Sequence, residues 1–80
     1  MDMLKQKLPK LDNDAIWYVC RYVRWAQDSI KRYGEASTWE KQCVKPYIEA
    51  MTNHGIKIDR SRIYETNYLS ELIRDYIKEN

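Results

Sequence analysis

Residues 15–33 contain neither glycine nor proline, and they are bracketed by strong punctuation on both sides. Asp12, Asn13 and Asp14 stand before the run as cap-competent residues, with carboxylates where a helix dipole favours them. Gly34 stands after it as the residue best suited to a left-handed stop, with Lys31 and Arg32 in the last turn. The pattern predicts a long helix over residues 14–33. Ile16, Val19, Cys20, Val23, Gln27 and Ile30 recur at spacings of three and four and predict its core-facing stripe. Trp17, Tyr18, Tyr22 and Trp25 widen that stripe, leaving only Arg21 and Arg24 charged in the stretch WYVCRYVRWA. Such a helix is apolar over most of its circumference and belongs at the centre of the fold.

Ser37 and Glu40 then stand in the spacing of a capping box, in which hydroxyl and carboxylate each satisfy an orphan backbone N–H. A second helix is expected over residues 38–53, with Trp39, Cys43, Tyr47, Ala50 and Met51 on one face, Val44 and Ile48 beside them, and Asn53, His54 and Gly55 ending it. Pro46 inside this span removes one backbone bond, which predicts a kink near Gln42 or a break into two shorter helices. Residues 56–65 alternate weakly and lack an Asn-Gly or Asp-Gly turn. They are read as a connector with a short turn near 60–65. Thr66 or Asn67 is expected to cap a last helix over residues 67–79, in which Tyr68, Leu69, Leu72, Ile73, Tyr76 and Ile77 alternate in pairs with polar residues. The fold class is therefore all-α, a small bundle of three main helices. Pro9 interrupts the spacing of Leu4, Leu8 and Leu11, so residues 1–11 read as an N-terminal arm ahead of a single domain over residues 12–80.

A chain of 80 residues leaves no room for a second domain. It buries only about 60% of the surface its unfolded form exposes, so its core is marginal and gains from a staple or a second subunit. The longest apolar run, residues 15–20, falls far short of the roughly twenty residues a spanning helix needs. No signal-peptide core follows the first lysines, and a cytoplasmic location is expected. In a reducing compartment Cys20 and Cys43 are expected as buried thiols rather than a disulfide.

Chemistry-bearing patterns are sparse. Cys20 and Cys43 are isolated and His54 is the single histidine, so no metal-ligand spacing is present and no metal or cofactor is expected. Cys43 and His54 share a helix face but lie roughly 16 Å apart along the axis, beyond the reach of a nucleophile and its base. Glu71, Asp75 and Glu79 form a carboxylate row, but Arg74 and Lys78 interleave with it as on an ordinary solvated face. Gly34 and Gly55 stand alone, and no glycine-rich loop exists to cradle a phosphate. The expectation is a protein that is not an enzyme and takes no small-molecule substrate.

The aromatic inventory carries the functional reading: three Trp and seven Tyr with no Phe, so that every such ring has a polar handle suited to a half-buried site. Trp17, Tyr18, Tyr22 and Trp25, flanked by Arg21 and Arg24, are the candidate protein interface, because Trp, Tyr and Arg are enriched at binding hot spots. Burying all four rings in one small monomer would strand the two arginines among them, so a homodimer is expected. The leading reading is a small adaptor, inhibitor or regulator that docks on a protein partner; its size would also suit an accessory protein of a mobile element. The alternative is a helical DNA- or RNA-binding regulator using Lys31, Arg32, Lys57, Arg60 and Arg62. Fourteen basic against twelve acidic residues leave a net charge of only +2, which fits weak nucleic-acid association at most and no membrane partner.

Overall fold

The computed structural model describes residues 8–79. Three helices, α1 (Asn13–Tyr33), α2 (Thr38–Asn53) and α3 (Tyr68–Glu79), surround one core, with a single 3-10 turn at Arg60–Arg62 between the second and third. No strand occurs among the described residues. α1 packs against both α2 and α3 and is the central element. The first seven residues of the expected arm lie outside the described span, while Leu8 packs against the core and Leu11 belongs to it.

The punctuation works as expected. The Asp12 carboxylate accepts from Ala15 N–H at 3.0 Å and starts α1. Gly34, at φ +88°, ends it, its N–H donating to the Ile30 carbonyl at 2.8 Å. Both halves of the α2 capping box form: the Ser37 hydroxyl accepts from Glu40 N–H at 3.1 Å, and Glu40 Oε1 accepts from Ser37 N–H at 2.9 Å. At the other end of α2, Ile56 N–H reaches the Met51 carbonyl and Gly55 N–H the Thr52 carbonyl. That is a Schellman closure around Gly55 at φ +85°.

α2 is one continuous helix through Pro46, so the alternative of two shorter helices is not realised. The carbonyl that loses its donor belongs to Gln42, an exposed residue, and water can take the donor's place there. α3 begins at Tyr68 without a cap from Thr66, whose hydroxyl is instead taken by Gln27. Asn67 takes φ +67°, a conformation asparagine tolerates, and its carbonyl accepts from Glu71 N–H and Ser70 Oγ.

Three expected core positions, Cys20, Ile30 and Trp39, are corrected. Cys20 is exposed, and Ile30 is exposed as well, because the stripe that meets the rest of the fold runs through Ala15, Val19, Val23 and Ala26. Two of the four buried residues in that stripe are alanines, and the larger apolar side chains Ile16 and Ile30 lie at its margins. On α2 the buried line is Glu40, Val44, Ile48 and Met51, the same spacing of four, four and three. Trp39 lies off it and is 57% exposed. Cys43 is only half buried. Met51, Leu69, Ile73, Val19 and Val44 are the largest wholly buried side chains.

Candidate functional site, an aromatic and basic face

The outer side of α1 carries a connected series of rings. Trp17 meets Tyr18 edge-on with centroids 5.2 Å apart, Tyr18 stacks on Tyr22 at 6.3 Å, and Tyr22 meets Trp25 at 5.8 Å. The series then crosses to α2: Trp25 meets Trp39 at 5.5 Å, and Tyr22 meets Tyr47 at 6.2 Å. The Arg21 guanidinium lies 4.6 Å from the Trp17 ring centre and 5.6 Å from that of Trp25, held between two indoles.

Exposure divides the series into rim and root. Trp17, Tyr18, Trp25 and Trp39 are exposed, with Trp17 at 54%, while Tyr22 and Tyr47 are half buried and pack against the core. Burial pushes the Tyr22 and Tyr47 hydroxyls above the ordinary tyrosine value, so both are neutral donors through the physiological range. The exposed rings form two contacting pairs, Trp17–Tyr18 and Trp25–Trp39, linked by Tyr22 and Arg21, which distinguishes them from the isolated apolar side chains that any surface carries.

Trp39 is the member that sequence reasoning assigned to the core. Its neighbour Glu40 reaches across to α1: the carboxylate, bonded to Ser37 on one oxygen, accepts from Ser29 Oγ of α1 at 2.8 Å on the other. The bond accompanies a rotation of α2 in which Glu40 faces inward with Val44, Ile48 and Met51, and Trp39 meets Trp25. The Ser37 backbone N–H first, and then the Ser29 hydroxyl, hold the Glu40 carboxyl below the usual carboxylate range.

On the other flank of α1, a groove of about 370 Å³ separates Trp17, Cys20 and Arg24 from Glu65, Thr66 and Ser70. Gln27 closes one side by donating to the Tyr64 carbonyl at 2.7 Å and Thr66 Oγ1 at 2.9 Å. Among the described residues, no group of three or more His, Cys, Asp or Glu side chains gathers to hold a metal ion. His54 Nδ1 lies 3.1 Å from the Tyr76 hydroxyl at the far end of α2, where it ties α2 to α3.

The candidate nucleic-acid residues are dispersed. Lys31 and Arg32 are exposed at the end of α1, and Arg32 pairs with Asp28 at 3.4 Å. Arg62 pairs with Glu65 at 3.0 Å and lies 4.4 Å from the Tyr68 ring centre. Lys57 and Arg60 are exposed beside a shallow hollow formed with Thr52, Gly55, Ile56 and Ile58. Arg32 and Arg62 are thus both answered by a carboxylate on their own segment.

No family model, no curated protein and no solved structure matches this chain. The function is therefore argued from the face itself. Among the described residues no helix is long and apolar enough to cross a membrane, so the exposed rings are not part of a spanning segment.

Proposed function

We propose that this chain is a non-enzymatic docking module, a small adaptor, inhibitor or regulator that works by pressing the aromatic and basic face of α1 against another polypeptide. Self-association through the same face is part of the reading. The observation that carries it is the pair of exposed ring contacts Trp17–Tyr18 and Trp25–Trp39, joined through half-buried Tyr22 and bridged by Arg21. Rigid indoles and phenols offer large contact area at a low entropy cost, and a guanidinium between two rings is already ordered before a partner arrives. The nucleic-acid reading has weaker support, because Arg32 and Arg62 are paired with local carboxylates.

The test compares the wild type with Trp17→Ser/Trp39→Ser as bait in parallel captures. Both rings are surface members, so the variant should keep its helical circular dichroism and melt within a few degrees of wild type. A protein retained by the wild type and lost by the folded variant is the expected result. Equal retention by both would reduce the rings to ordinary surface. Binding to duplex or single-stranded DNA that falls steeply with salt and is abolished by Arg60→Glu, with no effect of the Trp changes, would favour the alternative.

A further inference from the structure

The exposed side of α1 has a second regularity, which combines two of its rings with its charges. Asp14, Tyr18, Arg21, Trp25, Asp28 and Arg32 follow one another at spacings of four, three, four, three and four, and all six are exposed. The spacing aligns these six side chains along one side of the helix, and four of the six are charged, so any helix laid along it is selected by charge. This seam runs about 27 Å along α1, at 1.5 Å per residue, on the side away from the buried line of Ala15, Val19, Val23 and Ala26.

The identities along this seam specify what it accepts. In a parallel pair of identical helices each residue meets its own copy, which sets Asp14 on Asp14, Arg21 on Arg21, Asp28 on Asp28 and Arg32 on Arg32. Every charged position is then repelled. In an antiparallel pair with its two-fold axis level with Val23, the same residues become complementary. Asp14 meets Arg32 of the second copy, whose guanidinium also pairs with Asp28 of its own helix at 3.4 Å. Tyr18 offers its hydroxyl to that Asp28, and Arg21 lies beside Trp25 of the second copy. Each contact occurs twice, as a closed two-fold interface requires. Arg21 is already ordered against Trp17 and Trp25 of its own helix, so what it can offer the second copy's Trp25 is the edge of its guanidinium. Trp39, packed on Trp25, widens the contact at the same height.

We infer that the face of α1 takes a second copy of this chain in an antiparallel α1–α1 pairing centred level with Val23, with Asp14 and Arg32 setting the register. The inference rests on the docking reading above and names its occupant. The rings supply the contact area, while the two Asp14–Arg32 pairs at the ends select direction and alignment, as charges at interface rims do.

Sedimentation equilibrium and light scattering test it with two single variants. Wild type should dimerise at micromolar concentration. Asp14→Arg and Arg32→Asp each set like charges opposite one another at both ends, and each should weaken self-association roughly tenfold. In the first variant both ends of the seam are positive, and in the second both are negative. An equimolar mixture of the two therefore restores opposite charges at both ends of a mixed pair, and should associate as tightly as wild type. All positions are exposed, so circular dichroism should show both variants folded. A wild type that stays monomeric to about 100 μM would overturn the inference. So would a dimer indifferent to both reversals, or a mixture no tighter than its components. If the Trp17→Ser/Trp39→Ser variant still loses a foreign partner in that event, the docking reading survives and only its occupant changes.

Discussion

Glu40 closes the α2 cap and ties α2 to α1 through Ser29, and so it links solvent acidity to the stability of the whole fold. Its carboxyl titrates below its unfolded value near 4.5, and so does that of Asp59, held down first by the Ser61 hydroxyl and then by the Ser61 backbone N–H. A carboxylate whose folded pKa is depressed contributes stability above the unfolded value and loses it as pH falls through the folded one. The stability these two carboxylates contribute should therefore be constant above their unfolded values and be lost as pH falls through the folded ones, lowering the melting temperature on the acid side. Glu40→Gln should melt lower than wild type at pH 7 and show a shallower acid limb; an unchanged limb would mean that Glu40 carries none of the linkage. The two cysteines separate in the same way by environment. Cys20 is exposed at the mouth of the α1 groove, whereas burial first, and then the Glu40 charge, push the half-buried Cys43 thiol up. A thiol reagent applied to the native chain should label Cys20 quickly and Cys43 slowly, with the two rates converging in denaturant. Equal native rates would contradict the assigned exposures.

At the scale of the helix, the ends are where sequence speaks most directly, because a cap is a contract between residues three or four apart. Ser37→Ala should lower stability by about 1 kcal/mol, the usual cost of a lost hydroxyl N-cap. Gly34→Ala should cost about 1–2 kcal/mol, since an added Cβ finds open space and only the left-handed backbone resists it. Equilibrium unfolding in urea measures both, and a neutral Gly34→Ala would show that α1 ends elsewhere. These features, the amphipathic α3 and the turn at Arg60–Arg62 were legible because each depends on short-range spacing. What was not legible is rotation. Trp39 and Glu40 are adjacent, and the apolar pattern alone favours turning the indole inward. The outcome comes with Ser29, eleven residues earlier on another helix, offering its hydroxyl to the carboxylate. Likewise the core took Ala15 and Ala26 and left Cys20 and Ile30 exposed, a rotation of α1 that a hydrophobicity pattern with apolar residues on both sides of the stripe does not encode. The rings of α1 were visible as a group in the sequence, while their continuation through Trp39 existed only once α1 and α2 had packed.

For the molecule as a whole, size sets the terms. A chain of this length typically holds about 4–12 kcal/mol of stability, and truncating one fully buried side chain such as Met51 to alanine removes about 2–5 kcal/mol of it. Both outer helices lean on α1, so losses at either contact reach the same central element. A second chain laid on the free side of α1 is therefore a large addition relative to what the monomer owns. It acts by mass action, because only the folded helix presents the seam. At a total concentration about a hundredfold above the dissociation constant, dimerisation adds about 1.5 kcal/mol per chain, which for a domain of this size raises the melting temperature by roughly 6–12 °C. The prediction is a melting temperature that climbs with protein concentration across the micromolar range for wild type. Trp25→Ala, which removes the ring that Arg21 of the second copy would meet, should flatten that dependence while lowering the dilute melting temperature through the loss of its own-chain contacts to Tyr22, Trp39 and Arg21. A concentration-independent transition in wild type would return the seam to solvent. It would also mean that three helices around Val19, Val44, Met51, Leu69 and Ile73 carry the stability of this fold on their own.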